Sequence, residues 1–270
     1  MQYHYTVTPS SVSLFAGSKP YTARDSHPAF TRIKNLIKRR RFSDAIKLFD
    51  VGAAITKQSK GKITVKNNTV YWDSKPLHNY VTGRILALLK EGFDTKPIIN
   101  FLEDLYNFNP LVKEDKNHYL VNDLYSFLEK NLLPLTSDGS FLAWKKVRQD
   151  GNDIHSNTIN YKVGKYVEES FDKVDKNRDN HCSYGLHFAS DGYYKQSGFG
   201  WDNSKTLLVK VKPSWVCSIP TDCNNTKGRA YKMYVYSEYD DNCSIDLKKS
   251  VVSSKNGQNR DKFGRFARSN

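Results

Sequence analysis

The chain has 270 residues and a mass of 31.0 kDa, with 38% hydrophobic, 13% aromatic and 26% charged residues and a net charge of +14. That composition can bury a core and excludes wholesale disorder, a collagen-like repeat and a coiled coil. No apolar run approaches the roughly 20 residues of a membrane span, and Met1–Tyr5 lacks a basic-then-apolar export signal, so integral membrane and Sec-exported proteins are not expected.

Taken in chain order, residues 3–24 alternate weakly through Thr6-Val7 and Ser11–Phe15 and predict a short hairpin. Pro28 opens a helix to about Arg40, with Phe30, Ile33, Leu36 and Ile37 on one face. Ser43 is placed to cap a short helix over Ala45–Phe49, and Val51–Gln58 reads as another. Lys62–Val65 and Thr69–Trp72 alternate around Asn67-Asn68, a hairpin signal. A helix over Leu77–Glu91 is stopped by Gly92, with Val81, Ile85, Leu88 and Leu89 inward. Thr95 caps the next, Pro97 sits in its first turn, and Pro110 breaks it after Asn107. Leu120, Leu124 and Leu128 mark a last helix ending near Asn131.

After the turn cluster Pro134–Gly139, strands dominate: Phe141–Trp144, Gly185–Ala189, Leu207–Val211, Trp215–Ile219 and Tyr231–Tyr236. The polar stretch 148–181 between the first two reads as a long loop with short strands. The expected class is therefore α+β: a mostly helical domain with hairpins over 1–136, a strand-rich domain over 137–247 and a basic flexible tail over 248–270.

Charge follows the same partition. Residues 1–136 carry 20 Lys/Arg against 12 Asp/Glu, residues 137–247 carry 15 of each, and residues 248–270 carry 7 against 1, for net charges of +8, 0 and +6. The tail is poor in apolar residues and cannot offset its own ordering entropy. Its Lys248, Lys249, Lys255, Arg260, Lys262, Arg265 and Arg268 are suited to phosphates, and Phe263 and Phe266 to stacking on a base. Anionic lipid would attract the same residues, so a membrane surface is the competing partner. Lys38-Arg39-Arg40-Arg41 forms a secondary basic patch, first of all as the cationic end of a helix dipole.

No phosphate-binding loop, dinucleotide turn or nucleophile elbow is present. Cys182, Cys217, Cys223 and Cys243 form no Cys-x-x-Cys pair, so neither a metal nor a cofactor is expected, and free thiols are the default.

The stretch Ser137–Val147, with Trp144 and Lys145 at its centre, then Asp153–Ser156 around His155, Cys182–Phe188 with Gly185, Leu186 and His187, and Ser218–Asp222 with Pro220, resembles the phage RIIB-like family. This is the family of the second protein of the rII locus of T-even bacteriophages. In the N-terminal half Pro76–Tyr80, Pro97–Glu103 and Phe127–Lys130 fit the same pattern. The resemblance implies a phage early protein of the host cytoplasm, tied to lysis timing and to resisting prophage exclusion. Its implied partners are DNA, the membrane surface, or a phage or host protein such as an RIIA-like one. Tyr166–Glu169 departs from the family's usual Met-Pro-Arg-like element. Asn259–Phe266 is similar to an Arg-Asp-x-x-Gly-Arg-Phe peptide found beside DNA-binding modules in phage proteins.

A second, fainter resemblance runs through Leu142–Lys145, Tyr184–Ala189 and Ser237–Tyr239 to the three-strand signature of ADP-ribosyltransferases. It implies NAD as cofactor, with Lys145, His187 and Glu238 as catalytic candidates. Lys145 stands where the signature has His or Arg, and His187 where it has Tyr.

Overall fold

The computed structural model describes residues 2–239 except 26, 28, 50, 51, 53, 54, 57, 58, 67, 68, 78–80, 84, 87, 89–94, 115, 117, 132, 191, 192 and 194–203, and describes Cys223 by its backbone alone. The class is α+β. The chain divides into two compact units between Thr95 and Lys96.

The first unit carries more sheet than the sequence pattern suggested. Strands β1 (Tyr3–Val7), β2 (Ser11–Ala16) and β3 (Lys19–Arg24) form an antiparallel meander, where a hairpin was expected. Helices α1 (Phe30–Lys38) and α2 (Phe42–Phe49) pack against it. Phe30, Ile33 and Ile37 recur at helical spacing and meet Val12, Leu14 and Ala23 of the sheet. Burying each such side chain contributes about 1.5–3 kcal/mol. Lys38 lies in the last turn of α1, Arg40 takes a left-handed backbone (φ 57°) that ends it, and Arg41 pairs with Asp44 at 2.5 Å. The four-cation run is thus a solvated helix end. Ser43 lies inside α2 rather than before it.

Strands β4 (Ile63–Lys66) and β5 (Thr69–Trp72) pair with Lys66 opposite Thr69, as the alternation predicts. A two-residue turn at Asp73 and Ser74, both left-handed (φ 43° and 68°), adds β6 (Lys75–Pro76). Of the expected helix over 77–91, residues 81–83, 85, 86 and 88 are helical, with Val81 and Ile85 buried. Of the one over 51–58, residues 52, 55 and 56 are helical. Pro28, the Asn67-Asn68 turn, Leu89 and Gly92 lie outside the described residues.

The second unit is built on a seven-stranded antiparallel sheet. Its strands are β7 (Phe141–Arg148), β8 (Tyr166–Glu168), β9 (Leu186–Ala189), β10 (Ser204–Val211), β11 (Val216–Ser218), β12 (Lys227–Ala230) and β13 (Lys232–Tyr239), in the spatial order β11-β12-β9-β7-β10-β13-β8. Helices α3 (Lys96–Phe108), α4 (Pro110–Lys113) and α5 (His118–Asn131) belong to this unit. Pro110 begins α4 rather than only ending α3, because the Asn109 side chain accepts from the amides of Leu111 (3.0 Å) and Val112 (3.3 Å). The Asn109 side-chain nitrogen donates to the carbonyls of Pro213 and Val216, both at 2.9 Å. Asp104 accepts the Ser214 amide at 2.7 Å. Phe127 of α5 meets Phe141 and Phe188 edge-on, with centroids 6.0 and 5.4 Å apart. These bonds and rings hold residues 96–131 to the sheet. The change from helix to strand at 136, read as a domain boundary, therefore falls inside a unit.

All five predicted strands are present. Two further ones join them. β8 is a short strand of the kind expected within the 148–181 loop, at the Tyr166–Glu169 departure. β12, Lys-Gly-Arg-Ala, has too much charge to read as a core strand, yet all four residues are buried. Gly228 faces Phe188, where a Cβ would stand 2.3 Å from the ring, so only glycine admits that aromatic.

Candidate functional site

A cavity of about 450 Å³ opens beside β7 and β9 of the second unit. Lys145, His187, Phe188 and Ala189 come from the strands, while Asp153–Ser156, Tyr161 and His181–Gly185 come from the connection between them. Thus the two ends of the expected long loop form the walls.

Each wall has a local reason for its shape. Asp153 accepts the amides of His155 (2.9 Å), Ser156 (2.8 Å) and Asn157 (3.1 Å) and the Ser156 hydroxyl, which folds residues 153–157 into a tight turn. Burial pushes that carboxyl up, but the Ser156 hydroxyl and the amides outweigh it and hold it below its ordinary range. The other wall is tied down by Arg229 of β12, which has no solvent exposure. Its guanidinium donates to the carbonyls of Asp175 (3.1 Å), Asn177 and Asn180 and to the Ser218 hydroxyl (3.1 Å). Gly185 then re-enters the sheet at φ 146°, where a Cβ would stand 2.8 Å from Val174.

At the cavity wall, Lys145 is 8% exposed. Its Nζ donates to the His187 carbonyl (3.2 Å) and lies 4.6 Å from the centre of the Tyr161 ring. Desolvation lowers its pKa to about 8, with Asp153 opposing. Burial also pushes His187 down to about 3, assisted by the charges of Lys145, Arg229 and Lys227, so its imidazole is neutral at pH 7. Glu169 accepts the Tyr184 hydroxyl at 2.7 Å, and Lys227 pairs with Asp222 at 2.6 Å.

The structure brings together several residues singled out from sequence. Lys145, His155, Cys182, Gly185 and His187 all line the cavity. Asp222 anchors Lys227, which lines it too. Trp144, Leu186 and Pro220 are buried in the surrounding body. Glu238 is not with them. It and Lys145 both pair with Leu207, so a whole strand lies between them, and its side chain is 60% exposed and bound to Lys205 at 2.5 Å. The three transferase candidates do not converge.

Cys217 is buried, and burial pushes its thiol up to about 12. Cys182 is exposed. Among the described residues no group of three or more His, Cys, Asp or Glu side chains is placed to hold a metal ion. None of the helices among them is long and apolar enough to cross a membrane. The tail residues Lys248, Lys249, Lys255, Arg260, Lys262, Phe263, Arg265, Phe266 and Arg268 lie outside the described residues, as does Cys243.

Sequence reasoning missed Tyr161 and Arg229 as parts of the site and marked Asp153 only as a neighbour of His155 in the family motif. Asp153 carried a readable signal, an acidic residue two and three places before His155 and Ser156 in a polar stretch. Arg229 carried none.

The family model described as Bacteriophage T4 protein rIIB matches residues 5–243. Protein rIIB of Enterobacteria phage T4 is 30% identical over 228 residues, which cover 84% of this chain and 70% of that protein. No solved structure matches the chain.

Proposed function

Since the chain belongs to the T4 rIIB family, we propose that it is a phage early accessory protein of the host cytoplasm, acting in host takeover, lysis timing or resistance to prophage exclusion. It does so by binding nucleic acid and a phage or host protein, such as an RIIA-like one, without catalysis of its own. The observation that carries the reading is the partition of charge. Residues 137–247 are neutral, while 248–270 hold seven cations against one acid. Cations concentrated on one apolar-poor segment bind phosphates by releasing counterions, with no need of a folded interface.

The test is fluorescence anisotropy of labelled duplex DNA over a salt series, with the whole chain and with the chain ending at Leu247. The expected log–log slope is roughly −3 to −6, from about −0.9 per phosphate neutralised, and it disappears with the tail. Equal affinity of the two chains would reject the tail as the binding segment. Binding to anionic vesicles in place of DNA would move the protein to a membrane surface. The NAD-consuming reading has less support, because Glu238 stands a strand away from Lys145 and on an exposed ion pair.

A further inference from the structure

The carboxylates around the cavity are engaged with protein partners. Asp153 holds its own turn, Glu169 holds Tyr184, and Asp222 holds Lys227. Lys145 is different. An ammonium offers three protons, and here one carbonyl and one ring face receive it. It forms no ion pair with any described carboxylate. The Asp153 carboxylate acts on it through space but is itself engaged by its own turn, and a buried charge with so few direct partners is costly, so an apolar residue of the same length would serve the sheet better. Beside this cation the cavity walls are largely apolar, and the aromatic side chains of Tyr161 and Tyr184 are among them.

We propose that the cavity is a binding site for a small organic anion, a phosphomonoester or carboxylate carried on a flat ring, with Lys145 as its charge partner. The anion supplies the acceptors that the fold withholds from the ammonium. In a partly dry site such a charge-assisted bond is stronger than in water. The ring lies against the aromatic walls, and the neutral His187 imidazole adds a hydrogen-bonding edge without adding charge. The volume of about 450 Å³ suits a ligand the size of a mononucleotide. This site is independent of the tail and of the DNA reading.

Calorimetric titration of the full chain tests it. The probes are adenosine and uridine 5′-monophosphates and benzoate, each beside its uncharged analogue, adenosine, uridine or benzyl alcohol. At least one ring anion is expected to bind with Kd below roughly 1 mM and its uncharged analogue at least about tenfold more weakly. Lys145→Met removes that binding. The tail is intact in both chains, so its own attraction for anions cancels. In the unaltered chain the bound anion also protects Lys145 from acetylation, read by peptide mass, which keeps the test open if the variant does not fold. No binding by any ring anion, equal affinity in Lys145→Met, or inorganic phosphate binding as tightly as the ring anions would overturn the proposal.

Discussion

Two buried cations flank His187 in the same sheet, and the fold treats them in opposite ways. Arg229, directly opposite His187 on β12, gives its protons to three carbonyls and a hydroxyl. Lys145 on β7 has one carbonyl and the face of Tyr161. The first is a structural cation: it gathers the 175–180 backbone and so builds a wall. The second makes a single hydrogen bond, to the His187 carbonyl, and it faces a cavity. Burial alone does not separate these roles; the count of satisfied protons does.

The comparison is broken most directly by replacing each cation with methionine. Arg229→Met leaves several buried carbonyls without donors and should lower stability by about 3–5 kcal/mol in urea unfolding. Lys145→Met should leave stability at pH 7 unchanged or higher, because it removes a desolvated charge that makes no direct ion pair with a described carboxylate. Comparable losses from the two would erase the distinction.

The pH dependence of stability sharpens it. Lys145 has a folded pKa of about 8 against 10.5 in a free side chain, so above pH 8 the folded chain sheds a proton that the unfolded chain keeps. Stability from this group is fully present above pH 10.5 and is lost as pH falls toward 8, by about 3 kcal/mol. The Cys217 thiol, raised to about 12, works in the opposite sense above pH 9, but it is common to both chains. The difference between the curves of the unaltered chain and Lys145→Met isolates the lysine. Parallel curves from pH 8 to 10.5 would mean that its charge is not desolvated.

On the acid side His187, at about 3 against 6.5, contributes stability that is present above pH 6.5 and lost as pH falls through the folded value. About 2 kcal/mol of that loss should appear between pH 6.5 and 4.5, before most carboxylates titrate, and His187→Gln should flatten it. An unchanged slope in the variant would show that the imidazole titrates normally between the two cations.

The smallest effect belongs to the third transferase candidate. Glu238→Gln opens an exposed pair with Lys205 and should change stability by less than about 0.5 kcal/mol. It should not alter anion binding in the cavity; a clear loss of binding there would place Glu238 in the site after all.

Much of the molecule was legible in the chain itself. Phe30, Ile33 and Ile37 announced a helix by spacing, Phe141–Trp144 announced a central strand by an unbroken apolar run, and Leu207–Val211 announced another by a run interrupted only at Lys210. The α+β class, the five strands, the basic character of residues 248–270 and the rIIB lineage are all properties of residue type and order, which local pattern records faithfully. The unit boundary was not legible, because α3 and α5 declare which face is apolar but not which surface will cover it. Nor was β12, whose Lys227 and Arg229 are tolerated inside the sheet only because Asp222, Ser218 and the carbonyls of residues 175–180 arrive from elsewhere in the chain. The cavity has the same origin. His155, Cys182 and His187 could be marked as motif residues, but their convergence on Lys145 depends on β7 and β9 lying side by side. Whether a charge is satisfied is decided by atoms distant in sequence, and only the tertiary structure supplies them.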